Sequence, residues 1–251
     1  MRNLKLILAY DGSEFSGWQV QPDKETIQGT LASAIGRITG ENVLPQGSGR
    51  TDAGVHALAQ VVTFVTESSV PTENFQRAFN DLLPPAIRVM EVGEVPAEFH
   101  ARHSAVAKTY RYRIYRGAIC PPFLARYVWH YPYPLDETAM CGATSQIVGE
   151  HDFTSFAAVD PEASREGRPV SNVRTIFSAM GVRNGEELVC TIRGSGFLHH
   201  MVRNLVGTFI LVGKGTIPSD GVAKILAARN RSAAGATAPP NGLYLVSVEY
   251  E

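Results

Sequence analysis

The chain has 251 residues, 44% hydrophobic and 19% charged, a balance that gives one large or two moderate globular domains an ample core. Its net charge of −1 excludes an overall basic field, so an RNA partner would have to be held by local clusters of Lys and Arg. Three widely spaced cysteines, Cys120, Cys141 and Cys190, with no Cys-x-x-Cys, argue against both a disulfide framework and a zinc site.

Leu4, Leu6 and Leu8 alternate with other residues and predict a first strand ending at Tyr10-Asp11-Gly12. That apolar run is too short for a signal peptide or a membrane span, so the cytoplasm is the expected compartment. Ile27, Leu31, Ile35 and Ile38 then recur at helical spacing, and Gly40 closes the helix. A glycine-rich loop follows, and the apolar run 58–65 continues it as a strand to about Thr66. Pro71-Thr72-Glu73 opens a second helix with Phe75, Ala78, Phe79, Leu82 and Leu83 on one face. Pro84-Pro85 stops it, and a strand through Ile87 and Val89 completes a β-α-β-α-β order.

The second half begins with a strand over 107–115. A helix is predicted over 135–148 with Asp136 as N-cap, then a hairpin of 170–181 with 187–194 around Arg183-Asn184-Gly185. A long apolar-faced helix is predicted over 197–212, a shorter one capped by Ser219 running to Ala228, and a last strand through Leu243, Leu245, Val246 and Val248. Residues 157–171, rich in Asp, Glu, Ser and Arg, read as an exposed loop. The pattern suits an α+β protein of two halves, each with helices on one face of a largely antiparallel sheet. The expected division is an N-terminal lobe, 1–104, and a C-terminal lobe, 105–251.

Four stretches carry residues suited to chemistry. The loop Gln46-Gly47-Ser48-Gly49-Arg50-Thr51-Asp52-Ala53-Gly54-Val55-His56-Ala57 holds Arg50 and Asp52 two positions apart between glycines that let backbone approach a ligand. It reads either as a site on a rigid base or as an Asx-type turn with a surface ion pair. A strand over 108–116 would put Lys108, Tyr110, Tyr112 and Ile114 on one face and Arg111 and Arg113 on the other. Rings interleaved with cations suit single-stranded RNA, and they equally suit a half-buried strand with a solvated face. In the helix after Phe197, Leu198, Val202, Leu205, Phe209 and Val212 form the core stripe, and Arg203 lies off it beside His199 and His200. The two histidines lack ligand partners at metal spacing, so no metal is expected. Leu243, at the start of the last strand, reads as core.

The stretch Gly49 to Ala57, followed by Gln60-Val61-Val62-Thr63-Phe64, resembles the catalytic loop of the tRNA pseudouridine synthase A family. Further matches stand in family order: Tyr10-Asp11-Gly12-Ser13-Glu14-Phe15-Ser16-Gly17-Trp18-Gln19, Phe99-His100-Ala101-Arg102, Lys108-Thr109-Tyr110-Arg111-Tyr112 and His151-Asp152-Phe153-Thr154-Ser155-Phe156. Gly196-Phe197-Leu198-His199-His200-Met201-Val202-Arg203-Asn204 and Ala238-Pro239-Pro240-Asn241-Gly242-Leu243-Tyr244 complete the set, which spans nearly the whole chain.

The resemblance implies two related lobes sharing one continuous sheet, with a cleft between them. It implies isomerisation of uridine to pseudouridine in the anticodon stem-loop, at about positions 38 to 40, where a base must leave its stack to be reached. It makes Asp52 the catalytic carboxylate, Tyr110 the ring against the uracil and a candidate proton acceptor, and Arg203 the ion-pair partner of Asp52. Arg50 would contact the RNA backbone, and Leu243 would lie against the base. It also implies a homodimer with tRNA as partner, and neither cofactor nor metal. Two other classes fit parts of the pattern: a non-catalytic RNA-binding module, and a carboxylate-dependent nucleoside or glycoside hydrolase. The hydrolase would ordinarily want a second acid near Asp52.

Overall fold

The computed structural model describes residues 1–159 and 171–251, so Arg165, Arg168 and most of the loop expected over 157–171 lie outside the described residues. In chain order the elements are β1 (Arg2–Tyr10), α1 (Ile27–Thr39), β2 (Gln46–Gly47), β3 (His56–Thr66), α2 (Thr72–Leu82), β4 (Ile87–Val95) and β5 (Ala105–Tyr115). Then come β6 (Trp129–His130), α3 (Glu137–Ala143), β7 (Gly149–Asp152), β8 (Val173–Asn184), β9 (Glu187–Gly194), α4 (Met201–Gly213), α5 (Gly221–Ala228) and β10 (Leu243–Tyr250). They fall into two compact units, residues 1–108 with 244–251, and residues 109–243. The α+β class and the largely antiparallel pairing match the expectation from the sequence.

In the first unit the strands lie in the order β4-β1-β3-β10. β1 is antiparallel to both neighbours, with Leu6 opposite Val62 on one side and Val92 on the other. Alternation sends Leu4, Leu6 and Leu8 to complete burial. Helix α1 starts where the Thr26 hydroxyl accepts from the Gly29 amide at 3.2 Å, and it buries Ile27, Leu31 and Ile35. Helix α2 buries Phe75 and Phe79, whose rings meet Phe64 of β3 edge-on at 6.1 and 6.3 Å. β10 runs parallel to the start of β3, pairing Tyr244 with His56 and Leu245 with Ala57.

In the second unit the order is β5-β9-β8-β7, with β6 parallel to the end of β5. The β8–β9 hairpin turns where Asn184 faces Glu187, as the Asn-Gly signal predicts. Three helix boundaries differ from expectation. The Asp136 carboxylate does cap α3, accepting from the Ala139 amide at 2.9 Å, but the helix ends at Ala143 rather than near 148. There Thr144 donates its hydroxyl back to the Cys141 carbonyl at 2.7 Å, the chain tightens into a 3-10 turn over Thr144–Ile147, and β7 follows. Helix α5 begins after Asp220, not Ser219, and the Asp220 carboxylate pairs with Lys224 at 2.8 Å instead of capping the helix.

The third difference concerns α4, which starts at Met201 and not at Phe197. His200 holds φ at +59°, and the Met201 amide closes a turn onto the Leu198 carbonyl at 3.1 Å. Val202, Leu205, Phe209 and Val212 form the buried stripe expected of this helix, while Phe197 and Leu198 stand before it. Among the described residues, no helix is long and apolar enough to cross a membrane.

Candidate active site

The Asp52 loop connects β2 to β3 in the first unit, and most of its backbone is tied down. The Ser48 amide donates to Val61 O at 2.8 Å, and Lys108 Nζ reaches the Ser48 carbonyl at 2.5 Å. Ser48 Oγ donates to Gln60 Oε1 at 2.6 Å, and Gln60 Nε2 donates to Gly49 O at 2.8 Å. The Thr51 hydroxyl lies 2.8 Å from the Tyr10 hydroxyl, and the Thr51 carbonyl accepts from the Trp18 amide at 3.0 Å. Val55 N closes the turn on the Asp52 carbonyl at 3.1 Å, so the main chain itself makes this bend. Arg50 is left exposed and Asp52 half-buried.

The segment after β1 wraps this loop closely enough to need glycine. A Cβ on Gly12 would stand 2.0 Å from the Val55 carbonyl oxygen, inside any allowed contact. Asp11 Oδ1 and the Gly12 amide both lie 3.2 Å from His56 Nδ1, and the His56 ring stacks on Tyr244 at 4.8 Å. The Tyr10-Asp11-Gly12 segment, β3 and β10 thus converge on the base of the Asp52 loop.

Tyr110, Arg203 and Leu243 belong to the second unit. Tyr110 is 8% exposed, and its ring meets Phe197 edge-on at 4.9 Å. The late start of α4 is what leaves Phe197 in irregular chain before the helix. Tyr112 is fully buried and donates its hydroxyl to Pro239 O at 2.7 Å, a packing role. Burial holds its phenol well above the ordinary tyrosine range, so it stays a donor.

Arg203 is held at both ends of its residue by one segment. Its Nε donates to Ala238 O at 2.7 Å, and its carbonyl accepts from the Ala238 amide at 3.1 Å. The segment 231–243 is strapped onto α4 so tightly that a Cβ on Gly207 would lie 1.8 Å from Ala236 O. Asn204, fully buried, supplies the knot: its Nδ2 donates to Phe156 O at 2.7 Å, and its Oδ1 accepts from Thr237 Oγ1 at 2.7 Å and Arg231 Nη2 at 2.9 Å. The same strap delivers Leu243, 6% exposed, at the head of β10. Asn204→Ala leaves a buried carbonyl and two donors without their partner, a loss of about 2 kcal/mol or more. For a chain of this size the melting temperature should fall by about 4–8 °C, readable by thermal denaturation.

Arg113 makes a bidentate pair with Glu187 at 2.6 and 2.7 Å, and the Arg193 guanidinium sits over the Phe177 ring at 4.9 Å. Arg50 and Arg102 are exposed. His199 Nδ1 lies 3.1 Å from the Val159 carbonyl and His200 occupies the left-handed position before α4, so both histidines help shape that turn.

A family model described as tRNA pseudouridine synthase matches residues 6–104 and 143–251, the segments that contain Asp52, Arg203 and Leu243. The chain belongs to the tRNA pseudouridine synthase family. It is 54% identical over 250 residues to a tRNA pseudouridine synthase A of Solibacter usitatus, covering 100% of both chains. It is 46% identical over 244 residues to one from Halalkalibacterium halodurans, covering 97% of this chain and 90% of the relative. A third, from Caldicellulosiruptor saccharolyticus, is 43% identical over 250 residues and covers 100% of both. Within this family's frame, the partners that periodicity did not single out are buried Tyr10, Gln60 and Asn204 and half-buried Phe197. The available signal was a polar residue inside an apolar run, as at Gln60 in β3.

Proposed function

We propose that this chain isomerises uridine to pseudouridine in the anticodon stem-loop of tRNA, at about positions 38 to 40, with Asp52 as its nucleophile. Membership in the tRNA pseudouridine synthase family makes it an isomerase acting on tRNA uridine. The observation that carries the assignment to Asp52 is the tethering of its loop. Backbone at Ser48, Gly49, Thr51 and Val55 is fixed, which holds exposed Arg50 and half-buried Asp52 on a rigid base. In this reading the carboxylate adds to the nucleotide and the bond between ribose C1′ and uracil N1 breaks. The base turns, C5 joins C1′, the bond to the carboxylate breaks and frees it, the C5 hydrogen leaves to water and N1 takes a proton, so the product is an isomer of the substrate.

Tyr110 supports the base and relays a proton, Arg203 is the cationic partner of the carboxylate, Leu243 packs on the base and Arg50 binds the RNA backbone. The chain acts as a homodimer, without cofactor or metal. Mapping pseudouridine in tRNA incubated with the purified protein tests the reading. New pseudouridine outside the anticodon stem-loop overturns the site, and release of free uracil overturns the reaction.

A chain of net charge −1 must bind tRNA through local cations, so affinity should fall steeply with salt. Five phosphate contacts give a log–log slope of about −3.5 for single-stranded RNA, steeper for duplex. Arg50→Ala should weaken binding and flatten that slope by roughly 0.7 to 0.9. Filter binding across a salt series measures both, and an unchanged slope removes Arg50 from the RNA interface.

A further inference from the structure

Gln60 is out of place for a purely structural residue. It has no exposed surface and is followed along β3 by buried Val61, Val62, Thr63 and Phe64. Burying a carboxamide gains little over an apolar side chain of the same shape unless its bonds are needed. Two bonds of Gln60 go to the Asp52 loop, one accepted from Ser48 Oγ and one donated to Gly49 O. The Tyr10 hydroxyl, also buried, stands beside the Gln60 carboxamide and bonds the Thr51 hydroxyl. Burial pushes that phenol up to about 12, against the lowering effect of its hydrogen bonds to Thr51 and Gln60, so it remains protonated at working pH.

The residues gripped are therefore 48, 49 and 51, which flank Arg50 and lead directly into Asp52. A network whose purpose was only to hold β3 in the sheet would have no reason to end on this loop.

We propose that Gln60 and Tyr10 are positioning residues for the reaction, fixing the backbone of residues 48–51 so that Asp52 is aimed at the nucleotide. The inference rests on the reading of Asp52 as the nucleophile. A displacement of about 1 Å in a catalytic group can cost on the order of 10²-fold in rate without altering what binds the substrate. The two residues touch no substrate atom themselves. Their contribution lies in the chemical step and not in affinity.

The test compares wild type, Gln60→Leu and Tyr10→Phe with tRNA tritiated at uracil C5, under single turnover with saturating enzyme. Three quantities are read: the rate constant of tritium release, the dissociation constant for tRNA and the melting temperature. A saturated single-turnover rate constant does not depend on how much of the enzyme is folded, so a purely structural defect leaves it unchanged. The expected result is a rate constant lowered roughly 30- to 100-fold in Gln60→Leu and about tenfold in Tyr10→Phe, with tRNA affinity within about threefold of wild type. Tyr10→Phe removes a single oxygen and keeps the test informative if Gln60→Leu fails to fold. Rate constants equal to wild type in the folded variants, with only the melting temperature lowered, overturn the proposal. Asp52→Asn run alongside separates the two failures. If it retains activity, the assignment of Asp52 is wrong; if it is inactive while Tyr10→Phe and Gln60→Leu run at full rate, only the positioning role is wrong.

Discussion

Asp52→Asn is expected to lower the rate of tritium release from uracil C5 by at least ~10⁴-fold, the scale on which an enzyme loses a key member of a catalytic unit. The two side chains have nearly the same size, and the turn-closing bond from the Val55 amide to the Asp52 carbonyl is kept by the substitution. The neighbouring anchors at Ser48, Gly49 and Thr51 do not involve the carboxylate. Folding and tRNA binding should therefore survive the substitution, while the anionic nucleophile is lost. Because isomerisation replaces the hydrogen at C5 with a bond to carbon, every completed turnover delivers tritium to water. Single-turnover release by wild type and variant, with tRNA binding measured in parallel, gives a direct comparison. Comparable release by the Asn variant makes Asp52 a turn residue and removes covalent catalysis by this carboxylate.

The fold was legible wherever one periodicity held over a whole element. Leu4, Leu6 and Leu8 mark β1 because every second residue faces the same way, and all three are fully buried. Gly40, just past the last turn of α1, marks its end because a left-handed residue can sit there without strain. Legibility failed where a local hydrogen bond competes with the pattern. Apolar spacing carries a helix past Ala143 and another back to Phe197, but the Thr144 hydroxyl and the left-handed His200 interrupt them. The two-residue strands β2 and β6 have no periodicity to read at all.

The candidate site divides in the same way. Arg50, Asp52, Tyr110 and Arg203 could be named because their order and wording match a family, not because spacing distinguishes them from a turn, a half-buried strand or a solvated cation. The residues that hold them escaped notice for a physical reason. Gln60 and Asn204 sit in apolar surroundings and acquire meaning only from partners distant in sequence: Ser48 for one, Phe156 and Arg231 for the other. A polar residue inside an apolar run, as at Gln60, can mark such a position, but composition and period do not name its partners.

Tyr110→Phe separates the two roles assigned to one side chain. The ring is 8% exposed and keeps its edge-on contact with Phe197 in the variant, since that contact uses carbon atoms of both rings. Stacking on the uracil and binding of tRNA should therefore persist, with affinity within about twofold, because the face of the ring is conserved. The hydroxyl is the group that can take and return a proton, and losing a general base typically slows a reaction by ~10²–10⁴-fold. Tyr110→Phe should accordingly lose most of its single-turnover rate at saturating tRNA. Tyr110→Ala removes the ring as well, and the loss of one base–ring stack, about 1–3 kcal/mol, should weaken tRNA binding by roughly 5- to 150-fold on top of the rate defect. The comparison is between rate at saturation and affinity, each measured for all three proteins. Full activity in the Phe variant assigns the ring to packing alone and moves the proton transfer to another group. A loss of affinity in the Phe variant as large as in the Ala variant would mean that the hydroxyl, not the ring, is what holds the RNA.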